Sequence, residues 1–186
     1  MTRPLVFLDT ETTGLDPEHH EIIEICMSKL SPEVAATIEC PERHGLYFLT
    51  LPMRPDLIDP KAIAINGFNM DEWIAKGATE FAEVADQIAD FMEGCTLVGF
   101  NPWFDLRFLF KSIWRSTGRI PEFNYHVVDL CSVAWPLKVA GLIKSVSAKS
   151  ICELFEIDYA GAHRACNDVD LSIECYRRLM EMRLPV

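Results

Sequence analysis

The chain has 186 residues, 49% hydrophobic and 24% charged, with a formal net charge of −11. This is the balance of an ordinary globular domain, long enough to bury a real core. The excess of acid excludes a protein that tracks along duplex nucleic acid by electrostatics alone, and no apolar run is long enough to cross a bilayer.

From the amino terminus, Met1–Pro4 runs at once into Leu5-Val6-Phe7-Leu8, too short for a signal-peptide core and without a small-residue cleavage site. A soluble, cytoplasmic protein with no membrane contact is expected. Leu5–Leu8 is a continuous apolar run closed by Asp9, the pattern of a strand buried on both faces. Glu21–Leu30 and Gly45–Leu51 are β-rich and bounded by loop residues, giving two more strands. Asp59–Met92 reads as mainly helical with breaks at Gly67 and Gly77. Its last part, Ala78–Met92, places Phe81, Val84, Ala85, Ile88, Phe91 and Met92 near one face. A strand over Thr96–Phe100, a helix over Pro102–Trp114 and a strand over Tyr125–Leu130 follow. Helices over Ala148–Phe155 and Ala165–Met182 are expected last.

Three consecutive strands suit an antiparallel meander, and the alternation after them suits parallel additions to the same sheet. The expectation is an α/β fold, a mixed five-stranded sheet flanked by helices and compatible with a ribonuclease-H-like arrangement. There is no repeat, low-complexity tract or Gly/Ser linker, so residues 1–186 read as one domain. The seven cysteines are odd in number and form no CxxC pair, as expected of free thiols rather than a disulfide framework. Cys40 and His44 stand within reach of one metal, but no second ligand pair follows, so no zinc site is expected.

Charge is unevenly placed. Residues 1–93 carry 6 basic and 18 acidic side chains, and residues 94–186 carry 11 and 10. Arg107, Lys111, Arg115 and Arg119 recur every four residues, forming either a solvated helix face or a basic stripe beside a polyanion.

Three short constellations stand out. In Asp9-Thr10-Glu11-Thr12-Thr13-Gly14-Leu15, two acids two residues apart point to one side where a buried strand surfaces. Held together, they raise each other's proton affinity unless a cation neutralises them, and their hard oxygens suit Mg²⁺ or Mn²⁺. Thr12, Thr13 and Gly14 add hydroxyl and backbone donors able to meet a terminal sugar or phosphate. In Gly99-Phe100-Asn101-Pro102-Trp103-Phe104-Asp105, Pro102 suits the first helical position, which makes Asn101 the natural N-cap and puts Asp105 in the first turn. In His163-Arg164-Ala165-Cys166-Asn167-Asp168, the two functional types meet only if His163 lies on the loop after Gly161 and Asp168 in the following helix. Alone, each segment is also what a solvated strand end, a helix cap or a surface histidine looks like.

Together and in this order they resemble the DEDDh family of 3′–5′ exonucleases, of the proofreading-ε-subunit and ribonuclease T type. Asp9, Glu11, Thr12, Thr13 and Gly14 match its first motif, and Gly99, Asn101, Asp105, Phe108 and Leu109 its second. His163, Ala165 and Asp168 match the third, and the resemblance runs from Leu5 to about Leu179. It implies a site holding two Mg²⁺ or Mn²⁺ ions, with Asp9 shared, Glu11 and Asp168 completing one and Asp105 holding the other. It implies that His163 accepts the proton of the attacking water, and that Leu15 and Phe104 pack around the terminal nucleotide. Ile65-Asn66-Gly67-Phe68 resembles the family's substrate-lining loop, which would bring Asn66 and Phe68 to the strand. The activity implied is release of nucleoside monophosphates from the 3′ ends of single-stranded DNA or RNA. The alternatives are a proofreading or repair exonuclease acting with a DNA polymerase, an RNA trimmer, and an inactive nucleic-acid-binding module; the intact acidic set argues against the last.

Overall fold

A computed structural model describes residues 3–35 and 45–182. The Cys40–His44 segment considered above lies outside the described residues. The elements, in order, are strands β1 (Leu5–Thr12) and β2 (Ile22–Leu30), helix α1 (Pro32–Ala35) and strand β3 (Gly45–Leu51). A 3₁₀ turn (Pro55–Leu57), helices α2 (Pro60–Asn66) and α3 (Met70–Ala75), strand β4 (Thr79–Glu80) and helix α4 (Phe81–Met92) follow. Then come β5 (Thr96–Gly99), α5 (Pro102–Thr117), β6 (Val128–Asp129), α6 (Leu130–Val133), α7 (Trp135–Val139), α8 (Ala148–Phe155) and α9 (Ala165–Glu181).

The sheet runs β4-β3-β2-β1-β5-β6, with β1–β2–β3 antiparallel and β5, β6 and β4 added in parallel. Central β1 is covered on both sides, which is why its first four residues are all apolar. Leu5 and Phe7 face one way, onto Val169 and Ile173 of α9. Val6 and Leu8 face the other, onto Ile88 of α4 and Leu106, Leu109 and Ile113 of α5.

The mixed sheet is as expected, but it has six strands rather than five. The sixth, Thr79–Glu80, is two residues long and pairs with Thr50 and Leu51 at the edge. Two residues carry no periodicity, so the segment reads as the start of α4, whose Glu83 side chain accepts from the Glu80 amide at 3.1 Å. The strand expected over Tyr125–Leu130 shrinks to Val128–Asp129, because the Asp129 carboxylate accepts the Cys131 amide and starts α6. β1, in turn, continues through both acids to Thr12 instead of ending at them. The breaks at Gly67 and Gly77 occur as read, both glycines having positive φ. The six described cysteines are free thiols, and among the described residues no helix is long and apolar enough to cross a membrane.

Candidate active site

The site lies where β1 leaves the centre of the sheet. Asp9 and Glu11 share the β1 face that carries Leu5 and Phe7, and an irregularity in the β1–β2 ladder between Glu11 and Thr12 ends the regular pairing beside them. Asp105 enters from the first turn of α5, 4% exposed, where its carboxylate accepts the Thr10 amide at 2.9 Å and the Thr10 hydroxyl at 2.7 Å. Asp168 enters from the first turn of α9 and accepts the His163 amide at 2.8 Å. His163 is on the loop after Gly161, exposed, with φ 71°. Potential ligand atoms of Glu11, His163 and Asp168 all lie within 4.8 Å of one another. Asp9 and Asp105 stand beside this cluster.

The carboxyls perturb one another. Burial, then the charges of Asp105, Asp168 and Glu11, holds Asp9 well above the ordinary aspartate range. Burial and the neighbouring Asp168 and Glu24 push Glu11 up to about 8. Burial raises Asp105 to about 7 against the opposing pull of the two Thr10 hydrogen bonds. Burial likewise raises Asp168, opposed by the His163 amide. Arg164, next in the chain to His163, is committed to Glu24, with Nε 3.0 Å from its carboxylate. The four acids, Asp105 buried and the other three half-buried, therefore form an electronegative pocket suited to a hard cation.

A cleft beside the acids is lined by Glu11, Gly14, Leu15, Ile65, Asn66 and Phe104. Leu15 is 77% exposed at its rim, and half-buried Phe104 rests against the Phe108 ring, with centroids 5.1 Å apart. Phe68 is elsewhere: it packs at right angles on Trp73 in a separate core cluster, so the structure places it as core rather than lining. Asn66 is a strut, donating to the Thr12 carbonyl and accepting the Phe68 amide. The Thr12 hydroxyl donates to the Gly14 carbonyl, and that of Thr13 accepts the Glu21 amide. Both hydroxyls thus shape the loop. Gly14 leaves room for the His20 ring, whose atoms would lie 2.4 Å from a Cβ.

Asn101 precedes α5 as expected, but its side chain does not cap the helix. Its backbone is left-handed (φ 52°), and its amide donates to the Asp129 carboxylate at 3.1 Å. The basic stripe is partly spent: Lys111 binds the Pro17 carbonyl and Glu18, and Arg119 pairs with Asp86 and Asp90, leaving Arg107 and Arg115 exposed. The sequence reading missed Thr10 and Glu24. Glu24 stands opposite Glu11 in the β1–β2 register, a position visible only once the strands are paired.

The family model RNase_T, described as an exonuclease, matches residues 6–176. The DNA polymerase III subunit epsilon of Escherichia coli is 33% identical over 189 residues, covering 95% of this chain and 70% of that protein. The PolC-type DNA polymerase III of Thermotoga maritima is 32% identical over 95% of this chain, which spans 12% of its length. Among solved structures, exonuclease I superposes with a TM-score of 0.75 at 20% identity, over 97% of this chain and 43% of that one. E. coli exonuclease I in complex with a dT13 oligonucleotide gives 0.76 over 41% of its chain. At that identity the likeness establishes the ribonuclease-H-like fold. The family match, the identity to the epsilon subunit and the three motifs brought to one end of the sheet agree, and the chain belongs to the RNase_T exonuclease family of 3′–5′ phosphodiester hydrolases.

Proposed function

We propose that the protein removes nucleoside monophosphates one at a time from the 3′ ends of single-stranded DNA or RNA, using two Mg²⁺ or Mn²⁺ ions. The observation that carries this is the convergence of Asp9, Glu11, Asp105 and Asp168, all raised in proton affinity, with no lysine or arginine bridging to them among the described residues. Like charges crowded together and partly withdrawn from water favour protonation or bound cations, and an all-oxygen donor set fits hard divalent ions. Asp9, Glu11 and Asp168 would hold one ion, and Asp9 with Asp105 the other. Bound there, such ions supply neutralisation of phosphate charge, stabilisation of the leaving 3′ oxygen and acidification of the attacking water.

The chain's own groups do the rest. His163, an exposed imidazole beside Glu11 and Asp168, accepts the proton of the attacking water. Thr10 fixes the Asp105 carboxylate with two hydrogen bonds. Leu15, Ile65 and Phe104 offer apolar surface to the terminal nucleotide. That exonuclease I has been captured with a dT13 strand supports a single-stranded substrate.

The test is digestion of 5′- and 3′-labelled DNA and RNA strands with Mg²⁺ or Mn²⁺, with and without chelator. Shortening from the 3′ end that chelator abolishes is the expected result. Cleavage from the 5′ end, or in chelator, would overturn it. A second reading, an exonuclease working alongside a DNA polymerase, rests on the 33% identity to the epsilon subunit. It predicts faster removal of a mispaired than of a paired 3′ nucleotide.

A further inference from the structure

His163, like Asn101, is held in a backbone conformation that a side chain disfavours, with φ 71°. Such a conformation persists only where the surroundings over-determine it. One constraint comes from within the site, the His163 amide donating to Asp168 at 2.8 Å. The other comes from the next residue. Arg164 reaches across to β2 and forks onto Glu24, with Nε at 3.0 Å from one carboxylate oxygen and a terminal nitrogen at 3.2 Å from the other. Glu24 is 1% exposed. The Tyr47 hydroxyl donates to Glu24 at 3.1 Å and accepts from Arg164 at 3.3 Å. The guanidinium also lies 5.5 Å from the Trp73 ring centre, and the Trp73 indole is itself tied to the Ile23 carbonyl at 2.8 Å. Nε and one terminal nitrogen of that fork are therefore met by neighbours on β2 and β3, with the Trp73 ring of α3 beside the guanidinium.

A buried carboxylate directly opposite Glu11 in the strand register is a poor choice for stability, because the site already crowds four acids. Buried ion pairs in general add little stability over apolar packing, so the pair's presence here calls for another reason. Its geometry supplies one: a planar, bidentate fork fixes residue 164 in place and orientation, as a lysine would not. We propose that the Glu24–Arg164–Tyr47 anchor is a positioning device for His163, setting where its imidazole stands relative to Glu11 and Asp168. The inference rests on His163 being the proton acceptor and adds what holds it there.

The experiment is a double-mutant cycle on hydrolysis of a 3′-labelled single strand at saturating Mg²⁺, with melting temperatures measured in parallel. Glu24→Gln/Arg164→Met removes both charges together and leaves neither orphaned. It should lower kcat by roughly 10–100-fold, the scale of a misplaced catalytic group, with KM moving less than about two-fold. Arg164→Lys, which keeps the charge but loses the fork, should fall between and carries the same comparison if the double variant does not fold. In a His163→Ala background the same changes should cost less than about two-fold more, since the group they position is gone. An unchanged kcat, or an equal loss with and without His163, overturns the positioning role. If His163→Ala itself keeps wild-type kcat, the proton-acceptor reading fails and takes this proposal with it. If His163→Ala is slow and the anchor variants are fast, only the positioning role falls.

Discussion

Chelation should turn the active-site acids into a pH-dependent load on the fold. Burial and the neighbouring Asp168 hold Glu11 at about 8 in the folded chain, against an ordinary 4.5, and burial holds Asp105 at about 7 against 3.8. Both folded values lie above the unfolded ones, so the folded state binds more protons between them. The stability from keeping these groups protonated is complete below about pH 4 and is lost as pH rises through 7–8. At about 1.4 kcal/mol per pH unit, the difference at Glu11 alone is on the order of 5 kcal/mol. For a chain of this length each kcal/mol moves the melting temperature by about 2–4 °C, so a drop of about 10–20 °C is expected. The assay is a melting series from pH 5 to 8.5 in EDTA and in excess Mg²⁺. The EDTA curve should fall with pH and level off above about 8, the Mg²⁺ curve should stay flatter, and Glu11→Gln should flatten the EDTA curve. A melting temperature in EDTA that is flat or rises from pH 5 to 8 would refute the reasoning.

Three further outcomes follow. His163→Ala should lower kcat by about 10²–10⁴, the usual worth of general-base assistance, while leaving Mn²⁺ affinity measured by calorimetry nearly intact. Asp9→Asn should lose Mn²⁺ binding by calorimetry together with turnover while circular dichroism stays native; unchanged affinity would remove Asp9 from the proposed ligand set. Thr10→Val deletes the hydroxyl that donates to Asp105 at 2.7 Å and keeps the amide bond. Losing that lowering influence should move an Asp105-controlled acidic limb to higher pH and weaken activity by roughly 10- to 150-fold, about the worth of one hydrogen bond to a charged group. An unmoved pH profile in that variant would detach Asp105 from the limb.

What the sequence by itself determined is everything whose signal is local. The all-apolar Leu5–Leu8 run announces a strand covered on both faces because both its alternating sets must be buried. The spacing of Asp9 and Glu11 puts them on one side of that strand, Pro102 marks the start of α5, and Gly161 frees the loop that His163 occupies. These follow from backbone geometry over a few residues, and they were enough to indicate the family and its acidic set.

The tertiary structure decided whatever depends on a distant partner. Asn101 reads as a cap from its neighbours, yet its amide is claimed by Asp129, 28 residues on. Phe68 reads as cleft lining from its motif, yet Trp73 holds it in the core. Thr79–Glu80 becomes a strand only because the β3 edge is there to pair with it. The Glu24–Arg164 pair joins residues 140 apart and leaves no trace in local periodicity. Hydrogen bonds and charges act over a few ångströms whatever the distance along the chain, so only the folded chain settles which groups satisfy each other.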